Sequence, residues 1–358
     1  MTKKIVFIVN SLQQQRCFKR INEFISQGYE VDVYGFNRNP DSAVPEQPFN
    51  IHVLGSFDNT LSYFKRLILM YKLLRPIIKK YKKEDVIFFY FMLDVALVCR
   101  FITRKKYIYE EYDLMQTYIR SNIIVRILNA FDRNMMRHAL ITITSSEGFI
   151  KYHFKDYFPD NVCLVPNRLN PNILQFPYTD TGYDIKHLRI GFVGVARFDS
   201  IIYFTKVFAE NYPQHEIHFY GTKTEKFDIF NSFKNVFFHG PFINPNDLPK
   251  IYQNVDLILA TYDTRYDNVR YAEPNKLYEA IYFKKPIIVS KDTFLADKTQ
   301  QLGVGFAVDS MNDGDIIRFF DSLSGQQIEQ CKYHAKQIPT QQLMDCNPDL
   351  FKMLTDRQ

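Results

Sequence analysis

The chain has 358 residues, too many for one compact core and natural for two domains. Nearly half of them (46%) are apolar and no tract is of low complexity, which excludes a disordered or fibrous protein. The net charge of +6 is unevenly spread: residues 1–168 hold 25 Lys+Arg against 16 Asp+Glu (+9), and the rest hold 20 against 23 (−3), so the first half is the one expected to meet an anionic partner.

Met1-Thr2-Lys3-Lys4-Ile5 runs straight into a strand-like segment, without the apolar core and small-residue cleavage site of a signal peptide. Ile5 to Val9 is an apolar run of buried-strand type. Val9 to Arg16 carries no glycine-rich fingerprint, which argues against a dinucleotide site there. From Arg16 to Gln27 the spacing of Phe18, Ile21, Phe24 and Ile25 predicts a helix, closed by Gly28. Further strands are predicted at Glu30–Phe36, Asn50–Leu54, Val86–Phe89, Lys106–Tyr109, Leu140–Thr144 and Val162–Val165. Between the second and third of these, residues 63–83 hold eight basic residues interleaved with Leu67, Leu69, Met70, Leu73, Leu74, Ile77 and Ile78. That stretch reads as a basic amphipathic helix, interrupted or kinked at Pro76. It is either a docking face for an anionic membrane surface or a helix packed on the sheet with a solvated basic side. The apolar run from Val86 to Ile102 is broken by Asp94 and Arg100, so it makes a poor membrane span.

A linker is predicted over 169–187, where Pro171, Pro177 and Gly182 fall without periodicity. Strands resume at Arg189–Val193, Glu216–Tyr220, Val236–Phe238, Leu257–Ala260, Pro286–Val289 and Gly305–Val308, and only helical segments follow Asp315. Two α/β domains with doubly wound parallel sheets are the expected result. The five cysteines are odd in number and far apart with no CxxC pair, which suits a reducing, cytoplasmic compartment and suggests neither disulfides nor zinc. No histidine cluster, HExxH, zinc-finger or RNP signature occurs, so neither a catalytic metal nor nucleic acid is expected.

The segment richest in chemistry is Glu273-Pro274-Asn275-Lys276-Leu277-Tyr278-Glu279, continuing to Lys285-Pro286-Ile287-Ile288. Pro274 suits the first turn of a helix, and a helix start offers free N–H groups and partial positive charge to a diphosphate. Lys276 adds a full charge there, and Glu279 sits one turn on, within reach of ribose hydroxyls. An ordinary surface helix is the bland alternative for each residue taken singly.

With Pro274, Lys276, Leu277, Glu279, Lys285, Pro286 and Ile288 in register, this segment resembles the donor helix of the retaining GT-B glycosyltransferases of family 4. The resemblance implies a GT-B fold, two Rossmann-like domains facing a central cleft. Residues 1–168 would bind the acceptor, 169–339 the nucleotide-sugar, and 340–358 would return to the first domain. It implies that Glu279 holds the ribose, with Asn275 and Glu273 beside it, and that Lys276 lies at the phosphates. Many members carry a second glutamate eight positions before Glu279, where this chain has Tyr271.

Other segments follow the same order. Arg189 to Arg197 resembles the strand and loop that open the nucleotide domain, with Gly194 admitting the phosphates and Arg197 contacting phosphate or sugar. Gly221 would open space near the nucleoside, and the backbone of Pro241 and Phe242 would meet the base. Tyr109-Glu110-Glu111-Tyr112-Asp113 resembles a segment that usually ends in His-Asp, so Tyr112 and Asp113 are catalytic candidates, or else a solvated turn. Arg16, Glu110 and Ser146 are acceptor-side candidates, with Ser145 expected to cap the following helix.

The activity implied is transfer of a sugar from a UDP- or GDP-linked donor to a glycan or lipid-linked acceptor. Retention, no metal and no separate cofactor are expected, on the inner face of the cytoplasmic membrane, in cell-surface polysaccharide synthesis. A sugar-nucleotide 2-epimerase on the same fold and a non-catalytic nucleotide-binding protein are the alternatives.

Overall fold

The structure is a computed structural model and describes residues 4–39, 43–57 and 61–358; Met1 to Lys3 of the N-terminal reading lie outside them. Contacts divide the chain into two units, Met1–Val165 with Asn347–Gln358, and Pro166–Cys346.

In the first unit β1 (Lys4–Val9), β2 (Glu30–Asn37), β3 (Ile51–Ser56), β4 (Ile87–Phe91), β5 (Tyr107–Glu111), β6 (Ile141–Thr144) and β7 (Val162–Leu164) form a parallel sheet in the order β3-β2-β1-β4-β5-β6-β7. In the second, β8 (Arg189–Val193), β9 (Glu216–Tyr220), β10 (Val236–Gly240), β11 (Leu257–Ala260), β12 (Ile287–Ser290) and β13 (Gly305–Val308) run β10-β9-β8-β11-β12-β13. Each sheet starts in the middle, winds one way, then returns to wind the other. The strand order therefore reverses at β1/β4 and at β8/β11, and it is outside the carboxyl ends of such strands that α/β sheets bind ligands.

The strands were legible because parallel sheets are covered on both faces and read as unbroken apolar runs. All five residues of β4 are buried, with Phe89 stacked on Phe7 of β1 at 4.8 Å. The next residue along, Tyr90, points to the other face and stacks on Tyr107 of β5 at 5.3 Å.

The helix Tyr63–Lys80 runs through Pro76 without a break and ends in a 3-10 turn, Tyr81–Lys83. Buried Met70, Leu74 and Ile78 straddle the proline and hold both halves against the sheet. No helix of the described residues is long and apolar enough to cross a membrane.

The crossing between units falls at 165/166 rather than 168/169, and the return at 346/347 rather than 340. The reason is a short parallel bridge of Leu169 with Met344, in which Leu169 N–H donates to Leu343 O (3.0 Å) and Asp345 N–H to Leu169 O (2.8 Å). It keeps both segments in the second unit. The last helix, Pro348–Arg357, then lies on the first sheet with Leu350 and Leu354 fully buried and Phe351 against Phe24 at 5.1 Å. Burying each leucine stabilises that return by about 1.5–3 kcal/mol.

Candidate functional site

At the carboxyl edge of the second sheet the loops are laced together by backbone. Gly194 N–H, just after β8, donates to Tyr220 O (2.8 Å), and Gly221 N–H, just after β9, donates to Gly240 O (2.7 Å). Gly221 has φ +126°, and a Cβ there would press into the Gly194 carbonyl, so only glycine fits. Gly194, at φ +142°, faces open space, which leaves its backbone approachable. Arg197 follows, exposed, its guanidinium 5.0 Å from the Phe198 ring centre and without an ion pair among the described residues.

The helix Asn275–Tyr282 starts at the same edge, with Pro274 as its cap residue rather than in its first turn. Here the expected site residues contact one another. The Lys276 ammonium reaches both oxygens of Glu279 (2.8 and 2.7 Å). Asn275 Nδ2–H donates to one of them (2.7 Å) and the Tyr252 hydroxyl to the other (2.6 Å). Both members of the ion pair are buried, Lys276 at 6% exposure and Glu279 at 1%. A buried ammonium needs an anion at hand, and one turn along the helix Glu279 supplies it. Lys276 therefore holds Glu279 through an ion pair. Tyr252, which no sequence signal had marked, is the fourth member. Its ring stacks on Phe283 at 4.3 Å, and burial and Glu279 push its hydroxyl well above the usual range, so it stays a donor.

Glu273 stands just before the helix. It is buried, and its carboxylate accepts from Lys298 Nζ (2.6 Å) and the Tyr278 hydroxyl. It anchors the turn before the helix. Pro241 and Phe242 line a cavity of about 470 Å³ beside β9 and β10, walled by Tyr220 stacked on His239 at 4.3 Å. The neighbouring Ile243 N–H is taken up by Asp247 (2.7 Å).

In the first unit the three acceptor-side candidates make contacts within the fold. Glu110 is fully buried, one carboxylate oxygen accepting from Arg16 Nε (3.0 Å) and the other from Arg20 Nε (2.9 Å). Arg16 also donates to Val165 O (3.0 Å), and Arg20 contacts Glu23, which accepts from Asn347 (3.0 Å). Burial opposes ionisation of Glu110, but Arg20 and Arg16 outweigh it and hold the carboxyl below its ordinary range. The network ties the first helix to β5, β7 and the C-terminal return. Ser146, not Ser145, caps the helix Glu147–Phe154, its hydroxyl accepting from Gly148 N–H (3.0 Å). Tyr112 donates to Asn10 (3.1 Å) with Arg16 5.7 Å from its ring centre, and Asp113 follows it, half-buried.

On the opposite face of β5, sequence reading missed a buried cluster of Glu111, Asp132 and His153. His153 Nε2 lies 3.0 and 3.1 Å from the Glu111 oxygens, and Asp132 accepts from Tyr109 (2.7 Å) and Gln116 (2.9 Å). These are cation-ligating residue types, but His153 Nδ1 is buried without a hydrogen-bond partner. A metal on Nε2 would force the proton onto that unpaired atom, so the cluster fits shared protons better. Burial, then the Asp113 charge, pushes Glu111 up to about 8, while burial and Glu111 push Asp132 well up and burial pulls His153 down.

The stability consequence has a definite sign. A carboxyl raised in the folded state favours folding below its unfolded pKa, and that gain is lost as pH rises towards 8. A lowered imidazole acts the other way, but only below about 6.5. Between pH 6.5 and 8 the chain should lose on the order of 1.4 kcal/mol per pH unit for each proton held. Urea unfolding across that window checks it: Glu111→Gln should flatten the slope, and a flat wild-type profile would contradict the shared-proton reading.

A second cavity, about 280 Å³, opens at the carboxyl edge of the first sheet. Asn10 after β1, Arg38 after β2 and Met92 to Asp94 after β4 line it, with Arg66 from the helix Tyr63–Lys80.

No family model matches the chain. It is 23% identical over 370 positions to the succinoglycan biosynthesis protein ExoL of Rhizobium meliloti (strain 1021), covering 96% of this chain and 89% of that protein. Among solved structures it resembles sucrose-phosphate synthase from Thermosynechococcus elongatus, at TM-score 0.69 and 13% identity over 99% of this chain and 97% of that one. It also resembles HepE of Anabaena in complex with UDP and glucose, at TM-score 0.67 and 15% identity over 99% and 100%. HepE has a further structure with UDP-glucose. These likenesses show the fold: two Rossmann-like domains of the GT-B type.

Proposed function

We propose that this protein is a glycosyltransferase that moves a sugar from a nucleotide diphosphate sugar, UDP- or GDP-linked, to a glycan or lipid-linked acceptor during assembly of a cell-surface polysaccharide. The observation that carries it is the carboxyl edge of the second sheet. There the open Gly194 backbone, the exposed Arg197 and the start of the helix Asn275–Tyr282 share one edge of the unit. That HepE, on the same fold, is solved with UDP and with UDP-glucose supports the donor class, and the name of ExoL supports the pathway class.

In this reading the leaving diphosphate gathers charge, and the helix start and Arg197 stabilise it without a metal. Lys276 and Tyr252 fix Glu279, and a ribose hydroxyl takes over the contact made by Asn275, the half-buried member of the four. The acceptor attacks with retention, and the departing phosphate oxygen takes its proton. Titration of the chain with UDP and GDP in a calorimeter tests this: saturable binding of one of them is expected, and a protein that binds neither is a scaffold. The basic face of the helix Tyr63–Lys80, with Phe64 and Ile68 exposed on it, supports peripheral attachment to the inner face of the cytoplasmic membrane. Cosedimentation with phosphatidylglycerol vesicles that weakens with salt is expected; equal recovery with neutral vesicles would remove that part.

A further inference from the structure

We propose that a third cavity, at the amino edge of the second sheet, is a regulatory site for a small phosphorylated sugar. The cavity stands on its own geometry, and only its coupling to the donor edge rests on the glycosyltransferase reading. It measures about 380 Å³, enough for one small molecule. The helix Asn275–Tyr282 starts at the carboxyl edge, and Lys284 stands just before β12. The cavity that Lys284 lines therefore lies at the far end of that helix.

Charge is the first argument. Two ammoniums line the cavity, those of Lys284 and Lys336, and no carboxylate among the described residues does. Neither ammonium makes a hydrogen bond or an ion pair among the described residues. The carboxylate on the segment of Tyr178, Asp180, is already held by Lys285 (2.9 Å) and Lys332 (2.7 Å). A phosphate dianion in this cavity gains two charge-assisted partners and breaks no existing pair.

The backbone at Lys284 is the second. It follows the helix end in the left-handed region, at φ +56°, which glycine adopts freely and lysine only with strain. A lysine serving the helix dipole alone could sit in the last turn, where no such strain arises. At position 284 the strain sets an ammonium on the cavity wall.

The rest of the lining selects the ligand. It includes the half-buried rings of Tyr178 and Tyr282 and the buried Ile281 and Leu343. Free phosphate makes no use of such a surface, whereas a sugar ring offers C–H faces to the aromatic rings and hydroxyls to their polar tips. One of these residues also leads to the candidate donor site. Tyr178 packs edge-on against Phe283 at 4.8 Å and donates its hydroxyl to Phe283 O (3.0 Å). Phe283 stacks on Tyr252, whose hydroxyl donates to Glu279 (2.6 Å). A ligand that shifts Tyr178 therefore alters the support of Glu279. By linkage, UDP must change the affinity for that ligand by the same factor.

The test uses the full chain and glucose 6-phosphate as the probe, with glucose and inorganic phosphate as its two halves, each titrated with and without UDP. Saturable binding of glucose 6-phosphate is expected, about tenfold or more tighter than either half, with a shift of about fivefold or more in UDP affinity. Lys336→Gln and Lys284→Gly should each weaken it about tenfold and leave UDP affinity unchanged when no sugar phosphate is present. Glycine fits φ +56°, so Lys284→Gly should keep or raise the urea midpoint, which separates lost binding from lost folding. No saturable binding of glucose 6-phosphate, glucose or free phosphate binding as tightly, or unchanged affinity in both lysine variants would each overturn the site. Binding that UDP abolishes and neither variant weakens would put the sugar phosphate at the donor edge and overturn it too. UDP affinity indifferent to glucose 6-phosphate would overturn the regulatory role. A wild type that binds no UDP removes the glycosyltransferase reading separately, and the lysine variants still decide the cavity.

Discussion

Replacing Glu110 with alanine should destabilise the protein by about 3–5 kcal/mol, the cost of leaving buried cations without their anion. Arg20 is 5% exposed and Arg16 has its side chain 18% exposed, and both direct Nε at the same carboxylate. Truncation would strand two guanidiniums, and two positive charges would then repel across the space the carboxylate had filled. Glu110→Gln should fall between the alanine variant and wild type, because an amide keeps one acceptor oxygen but loses the charge. Urea unfolding gives the magnitude, and UDP titration of the fraction that stays folded separates stability from function. A Glu110→Ala protein as stable as wild type would mean that the pair network contributes nothing. Arg16→Ala should cost less, since Arg20 still holds Glu110 and Glu23.

Glu110 also shows why the fold was more legible than the site. Several strands, among them Arg189–Val193, Glu216–Tyr220, Leu257–Ala260 and Gly305–Val308, fall where the apolar runs put them, because burial on both faces leaves its mark residue by residue. A polar residue carries no such local mark. Glu110 and Glu111 are adjacent, yet side chains of a strand alternate, so they enter different networks on opposite faces of β5. Glu110 meets arginines 94 and 90 residues away, and Glu111 meets His153 42 residues away. Sequence order cannot measure those distances. At the helix Asn275–Tyr282 the signal was different in kind. Lys276 and Glu279 are three apart, neighbours on any helix, and that spacing was enough to foresee an ion pair. The resemblance to the family 4 donor helix turned the reading to a ligand, so the ion pair itself went unread. Tyr252 had no comparable signal, since only packing of its helix brings the hydroxyl to Glu279.

The pairing changes what mutation of the candidate donor site should do. Arg197→Ala is expected to lower turnover by about 10²–10³, the usual effect of removing one donor aimed at developing charge, with no loss of stability. Arg197 is exposed and carries no ion pair among the described residues, so the fold does not depend on it. Glu279→Ala should do the reverse in emphasis. It leaves the buried Lys276 ammonium unpaired and the Tyr252 hydroxyl without its acceptor, at about 3–5 kcal/mol, so donor affinity and stability fall together. Lys276→Ala should be milder than Glu279→Ala, because Asn275 and Tyr252 still donate to the carboxylate that remains. Release of UDP or GDP from a donor sugar, measured beside urea midpoints for the three variants, resolves these expectations. Were Arg197→Ala to unfold the protein, or Glu279→Ala to lose turnover at full stability, the assignment of Arg197 to the leaving group and Lys276 to Glu279 would have to be exchanged. An outcome with turnover intact in Arg197→Ala would place the cation that meets the diphosphate elsewhere on the edge of this sheet.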